Sequence, residues 1–251
     1  MPKLGLQLYS LRDLAKDDFL GTLKQVADIG YDGVEFAGYG GLSAQELRRV
    51  VGDLGLEPVS SHVQLSELES NLRQVIEYGQ ELGLSYVVCP YLPEDKRQTL
   101  DDYRRLADTM NQIGQEISQA GMTLAYHNHA FEFVRFENQY ALDALYALTD
   151  KRYVQAELDI YWVEYAGQSA LEYVERYADR SGLLHVKDMT KDDERFFAEV
   201  GTGRLDIPSI LSTAKAGGIE WYLVEQDVIR RDPLESVTMS YRYLLDLTAR
   251  Q

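Results

Sequence analysis

Gly121-Met122-Thr123-Leu124-Ala125-Tyr126-His127-Asn128-His129 reads as a helix stop, a short buried strand and a polar strand end. The apolar run Met122 to Ala125 is too short for a helix and carries a β-branched residue, which favours a strand. Alternation along that strand sends His127 and His129 to one side and Asn128 to the other. Working back from Gly121, a helix is expected from about Leu100 to Gln119, with Tyr103, Leu106, Ala107, Met110, Ile113 and Ile117 on one face.

The same unit recurs in both directions. Upstream lie the strand-like runs Leu4 to Leu8, Gly33 to Phe36, Pro58 to His62 and Tyr86 to Cys89. Downstream lie Val154 to Asp159, Gly182 to Asp188 and Trp221 to Glu225. Helical stripes fill the intervals, and glycines 30, 55 and 83 stop three of them. Ser43 with Glu46, Ser66 with Glu69 and Ser169 with Glu172 have the spacing of N-terminal caps, and Asp232-Pro233 opens the last helix. Eight strands alternating with eight helices imply a parallel sheet, and the length suits a single (β/α)8 TIM barrel forming one domain over residues 1–251. An open doubly wound sheet is disfavoured, because no Gly-x-Gly-x-x-Gly follows the first strand.

Composition narrows the partners. A formal charge of −16 repels phosphate backbones and anionic lipid surfaces, so neither nucleic acid nor a membrane is expected. The N-terminus runs directly into strand-like sequence, and the lone Cys89 sits in an apolar run, so a reducing, cytoplasmic location is expected. Eighteen tyrosines leave room for a homo-oligomer interface.

In a (β/α)8 barrel the site lies at the C-terminal ends of the strands. Those ends carry Tyr9, Glu35, His62, Cys89, His127 with His129, Asp159, His185 with Lys187 and Asp188, and Glu225 with Asp227. All four histidines of the chain fall there. Two imidazoles, an Asp and a Glu arriving from separate strands offer a divalent cation mixed nitrogen and oxygen ligands, which suits Mn²⁺, Co²⁺, Zn²⁺ or Fe²⁺ better than Ca²⁺.

These residues resemble the xylose isomerase-like TIM barrels, the superfamily of sugar phosphate isomerases and epimerases that includes tagatose-type ketose 3-epimerases, inosose dehydratase and an apurinic endonuclease. The resemblance is carried by Gly30 to Glu35, Ser61-His62, Tyr126 to His129, Leu158-Asp159, His185 to Asp188, Val200 to Gly203 and Val224 to Asp227. It implies that Asp159, His185 and Glu225 hold a metal, with His127 standing where many relatives have a fifth-strand Glu. It also implies a small carbohydrate substrate, met by Glu35 and His62. Tyr9 and Trp162 are candidates for an apolar wall against the sugar.

The fifth-strand replacement bears on chemistry. Epimerisation next to a carbonyl normally uses two opposed acid/base groups, and a metal-bound imidazole is a poor proton carrier. Glu225 alone suffices for an aldose–ketose shift through an enediolate, or for β-elimination of water. Isomerisation or dehydration is therefore expected before epimerisation, with His129 or Glu132 able to restore a second base and Lys187 able to donate to a substrate oxygen. A sugar-binding barrel without catalysis is the third reading.

Overall fold

The computed structural model describes residues 2–249; of the expected domain, residues 1, 250 and 251 lie outside the described residues. Eight parallel strands close into a barrel: β1 (Lys3–Gln7), β2 (Gly33–Phe36), β3 (Glu57–His62), β4 (Tyr86–Cys89), β5 (Thr123–His127), β6 (Val154–Asp159), β7 (Leu183–Val186) and β8 (Trp221–Val224). Each pairs with its neighbours in sequence, and β1 closes on β8 with Lys3 opposite Trp221 and Leu6 opposite Val224. The chain is a (β/α)8 TIM barrel, with helices packed around the sheet.

The strands have the lengths their apolar runs dictate, and the helices end where the sequence stops them. Gly30 takes φ +113, a left-handed conformation that ends the helix Phe19–Ile29 and turns the chain into β2. Ser43 and Glu46 form a reciprocal capping box, Ser169 accepts from the Glu172 N–H, and Asp232 caps the final helix with Pro233 at its start.

The expected helix opened by Ser66 is instead two. Leu65–Ser70 ends at Asn71, which has an extended-side φ of −132 and donates its amide to Glu67, and Leu72–Leu82 begins beyond it. An amide side chain that bonds the preceding turn competes with helix continuation, so one apolar stripe is carried by two segments. The count of eight helices is also exceeded after β6, where the short helix Ile160–Tyr165 is followed by Gly167 at φ +79 before Ala170–Tyr177 begins.

The long segment after β7 is ordered by its own pairing. Asp188 and Met189 pair antiparallel with Phe197 and Ala198. The buried Asp188 carboxylate then accepts the N–H groups of Met189, Gly201, Gly203 and Leu205 at 2.8 to 3.1 Å. Asp188 is thus a pin for the loop, occupied by backbone rather than by a ligand.

The barrel interior has two layers. Val59, Val88, Ala125, Leu183, Trp221 and Leu223 form an apolar plug. Two residues further along β5, β7 and β8, the inward positions become His127, His185 and Glu225. This step from apolar to titratable side chains marks the floor of the site.

Candidate metal centre and active site

His127, Asp159, His185 and Glu225 come from the ends of β5 to β8 and offer ligand atoms within 4.8 Å of one another. His185 Nδ1 lies 3.0 Å from Glu225 Oε2, and His127 Nε2 lies 3.7 Å from Asp159 Oδ2. All four are buried. Asn128, facing away from the cavity, locks β5 to β6: its Oδ1 accepts the Asp159 N–H at 3.0 Å and its amide donates to the Asp159 carbonyl. That bond fixes where His127 and Asp159 can meet.

A second group lies beneath. Glu35 accepts from Gln7 at 2.7 Å and from Ser60 at 2.6 Å, and its Oε1 lies 2.7 Å from His185 Nε2 and 3.0 Å from His62 Nε2. Glu157 Oε2 lies 3.0 Å from His62, 3.2 Å from His127 and 3.3 Å from His185. Glu157 was not among the residues expected at the site. Alternation along β6 places it on the same side as Asp159, and a carboxylate two residues before Asp159 in the same strand is the available signal.

Lys187 is wholly buried, with Nζ 2.5 Å from Glu225 Oε2, 2.8 Å from Asp159 Oδ2 and 2.9 Å from Asp227 Oδ2. Its ammonium shares two oxygens with the four-residue set, so it joins the cluster as a resident counter-charge.

Tyr9, His62, His127, His129, Glu225 and Asp227 line an open cavity of about 470 Å³ at the mouth, together with Gly38, Gln64 and Tyr91. Glu35, Lys187 and Trp162 do not line it. Glu35 acts from below through His62 and His185, while Trp162 packs 5.5 Å from the His129 ring and 5.9 Å from Lys187 Nζ. Glu132, expected as a second base, is turned away: it accepts from the Tyr126 hydroxyl and from the His129 N–H, each at 2.8 Å, and is buried among them. Its place in the fold is that of a brace for His129.

Electrostatics separate the imidazoles. Burial, followed by the neighbouring His185, His129 and His62, holds His127 well below the usual histidine range, so it is neutral. Burial, then Lys187, pushes His129 down to about 3, and its Nδ1 has no hydrogen-bond partner. Burial opposes charge on His62 and His185 too, but Glu35 and Glu157 overcome it, carrying His62 up to about 10 and His185 well above its ordinary value. Burial pushes Asp159 up to about 6 against the pull of Lys187, whereas in Glu225 Lys187 and His185 outweigh burial and hold the carboxyl low. The Cys89 thiol is pushed up to about 12 by burial, which removes it as a nucleophile.

The residues present fit a divalent cation. Two ring nitrogens and two carboxylate oxygens converge, Asp159 Oδ2 is buried with no aligned hydrogen-bond donor, and five clustered carboxylates outnumber the cations around them. The cluster and the cavity above it have the form of a (β/α)8 active site, with reacting groups at the carboxyl ends of the strands.

Comparison with known proteins gives the family. Residues 23–238 match the model of the xylose isomerase-like TIM barrel, and the chain belongs to that family. Inosose dehydratase of Geobacillus kaustophilus is 29% identical over 193 residues, covering 68% of this chain and 62% of that protein. A second inosose dehydratase, from Clostridium perfringens, is matched over 56% of its length, so the match spans less than two thirds of these curated relatives. A sugar phosphate isomerase/epimerase from Parabacteroides distasonis superposes with a TM-score of 0.81 at 29% identity, over 97% of this chain and 94% of that one. The IOLI protein, whose structure carries a zinc atom, shares the fold at 16% identity with a TM-score of 0.77, over 99% of this chain and 98% of that one.

Proposed function

We propose that this protein is a divalent-metal-dependent enzyme that moves a proton next to the carbonyl of a small sugar or keto-sugar, giving aldose–ketose isomerisation. The observation that carries the reading is the convergence of His127, Asp159, His185 and Glu225 at the floor of a cavity that also presents a neutral, unpartnered imidazole, His129. A cation held by those four residues would polarise the substrate oxygens and lower the energy of an enediolate. Glu225, kept ionised by Lys187 and His185, takes the proton from carbon. His129 faces the same cavity as a neutral imidazole that hydrogen-bonds and orients the substrate oxygens, held in place by Glu132. Lys187 balances the carboxylates so that Glu225 keeps its charge when buried.

Dehydration is the second reading, favoured by the names of the curated relatives, inosose dehydratases. The same abstraction followed by loss of a β-hydroxyl, with the proton taken by Glu225 passed to the leaving oxygen, gives that product as the alkene and one water. Epimerisation ranks lower, because the fifth-strand ligand position holds His127 and Glu132 is withdrawn from the cavity.

The test is incubation of the Mn²⁺-loaded protein with ketohexoses and keto-inositols in D₂O. Deuterium incorporated into a product of otherwise unchanged composition supports isomerisation, and a product lighter by one water supports dehydration. Equal deuterium exchange into both epimers of the starting ketose would overturn the preference. Turnover undiminished by a chelator would overturn the metal requirement.

A further inference from the structure

The interior holds a second set of ligand atoms, deeper than the one used above. His62, His127, Glu157 and His185 also present atoms within 4.8 Å of one another. Glu157 Oε2 is their hub, 3.0 Å from His62 Nε2, 3.2 Å from His127 Nδ1 and 3.3 Å from His185 Nε2. A tetrahedral ion with bonds of about 2.0 to 2.1 Å needs ligand atoms about 3.3 Å apart, so these spacings are close to the edges of such a site.

Glu35 Oε1 pairs with His62 Nε2 at 3.0 Å and with His185 Nε2 at 2.7 Å, so an ion here displaces Glu35 from both nitrogens, but two observations show that the hydrogen-bond network is not closed. His127 Nδ1 and Glu157 Oε1 are buried without a hydrogen-bond partner. Lys187, which covers the oxygens of Asp159 and Glu225, makes no ion pair with Glu157 or Glu35 among the described residues.

We propose that this deeper set is a separate cation seat selective for zinc. Three imidazole nitrogens and one carboxylate oxygen make the donor set that tetrahedral zinc prefers, whereas the outer set, with two nitrogens, two oxygens and an open cavity above, suits Mn²⁺. His62 borders the mouth cavity, which gives an ion a way in.

The two seats exclude each other. Both use His127 and His185, but through opposite ring nitrogens: Nδ1 of His127 and Nε2 of His185 face inward, while Nε2 of His127 and Nδ1 of His185 face Asp159 and Glu225. A neutral imidazole bound through one nitrogen keeps its proton on the other. Zinc in the inner seat therefore leaves two N–H groups pointing at the outer carboxylates, where they donate hydrogen bonds and can no longer ligate. The inner seat goes beyond the proposed reaction and is tested without turnover.

The experiment uses crystals of the whole, metal-stripped protein soaked separately with Zn²⁺ and Mn²⁺, with anomalous diffraction to locate each ion. A zinc peak bonded to His62 and Glu157, and a manganese peak bonded to Asp159 and Glu225, is the expected result. Titration of His62→Ala should show zinc affinity down by about tenfold or more and manganese affinity changed by less than about threefold. Glu157→Gln, which preserves side-chain shape, should repeat that pattern. A zinc peak at Asp159 and Glu225 instead, no zinc peak at all, or equal losses for both metals in both variants would overturn the inner seat.

Discussion

Ala125, Leu183 and Leu223 face the barrel axis, and so do His127, His185 and Glu225 two residues later on the same three strands. The lower layer is held by packing and by the absence of water. The upper layer holds five carboxylates, four of them buried, whose positions depend on three imidazoles, an ammonium and, in the proposed function, a metal. One strand geometry thus supports two kinds of interior, and the boundary between them is a single step of alternation. The layers should fail differently when perturbed, the lower in stability and the upper in ion binding.

The largest expected effect is in the upper layer. Asp159→Ala should cost more than about a hundredfold in Mn²⁺ affinity while the barrel stays folded, read by calorimetric titration and circular dichroism. Retained metal would break the assignment of this layer as a cation site.

Leu223→Ala, in the plug, should lower unfolding stability by about 2 to 5 kcal/mol in denaturant titration, with metal affinity nearly unchanged. A loss of metal affinity as large as its loss of stability would show that the layers are not separable.

Lys187→Met should sharpen the contrast. Removing the ammonium leaves Asp159, Glu225 and Asp227 without their shared cation, so the metal-free protein should melt lower and the rise in melting temperature on adding Mn²⁺ should grow. An unchanged rise would mean that the ammonium and the ion do not compete for those oxygens.

The narrowest test belongs to Glu132, behind the upper layer, because its effect is confined to one window of pH. Burial pushes its carboxyl up to about 8, so in the folded protein it binds a proton that the unfolded chain has released. Stability from this group is present below the ordinary carboxyl range and is lost as pH rises toward 8, with a slope of about 1.4 kcal/mol per pH unit where only the folded state is protonated. Glu132→Gln should flatten that part of the stability profile. An unaltered profile would show that the two donors, Tyr126 and His129 N–H, keep the group ionised.

Much of this is legible in the sequence because the barrel repeats one local pattern. Gly30 and Gly83 stop helices, Ser43 and Ser169 start them, and the long helix Leu100–Gln119 has the bounds its apolar stripe implies. These are short-range signals, written in residues a few positions apart. The break at Asn71 was not legible, because a capping spacing at Ser66 looked equally good and an amide's choice of partner depends on the turn beside it.

At the site, the sequence by itself determined which strand ends carry titratable side chains, since alternation and the repeat place them without knowledge of contacts. Only the tertiary structure decided what each meets. It set Glu157 against three imidazoles contributed by other strands, put the Lys187 ammonium between Asp159, Glu225 and Asp227, and turned Glu132 behind His129. The physical reason is range: a strand's facing is fixed by its own backbone, but the partner of a buried charge comes from wherever barrel closure brings the chain, here from residues as far apart as Glu35 and His185.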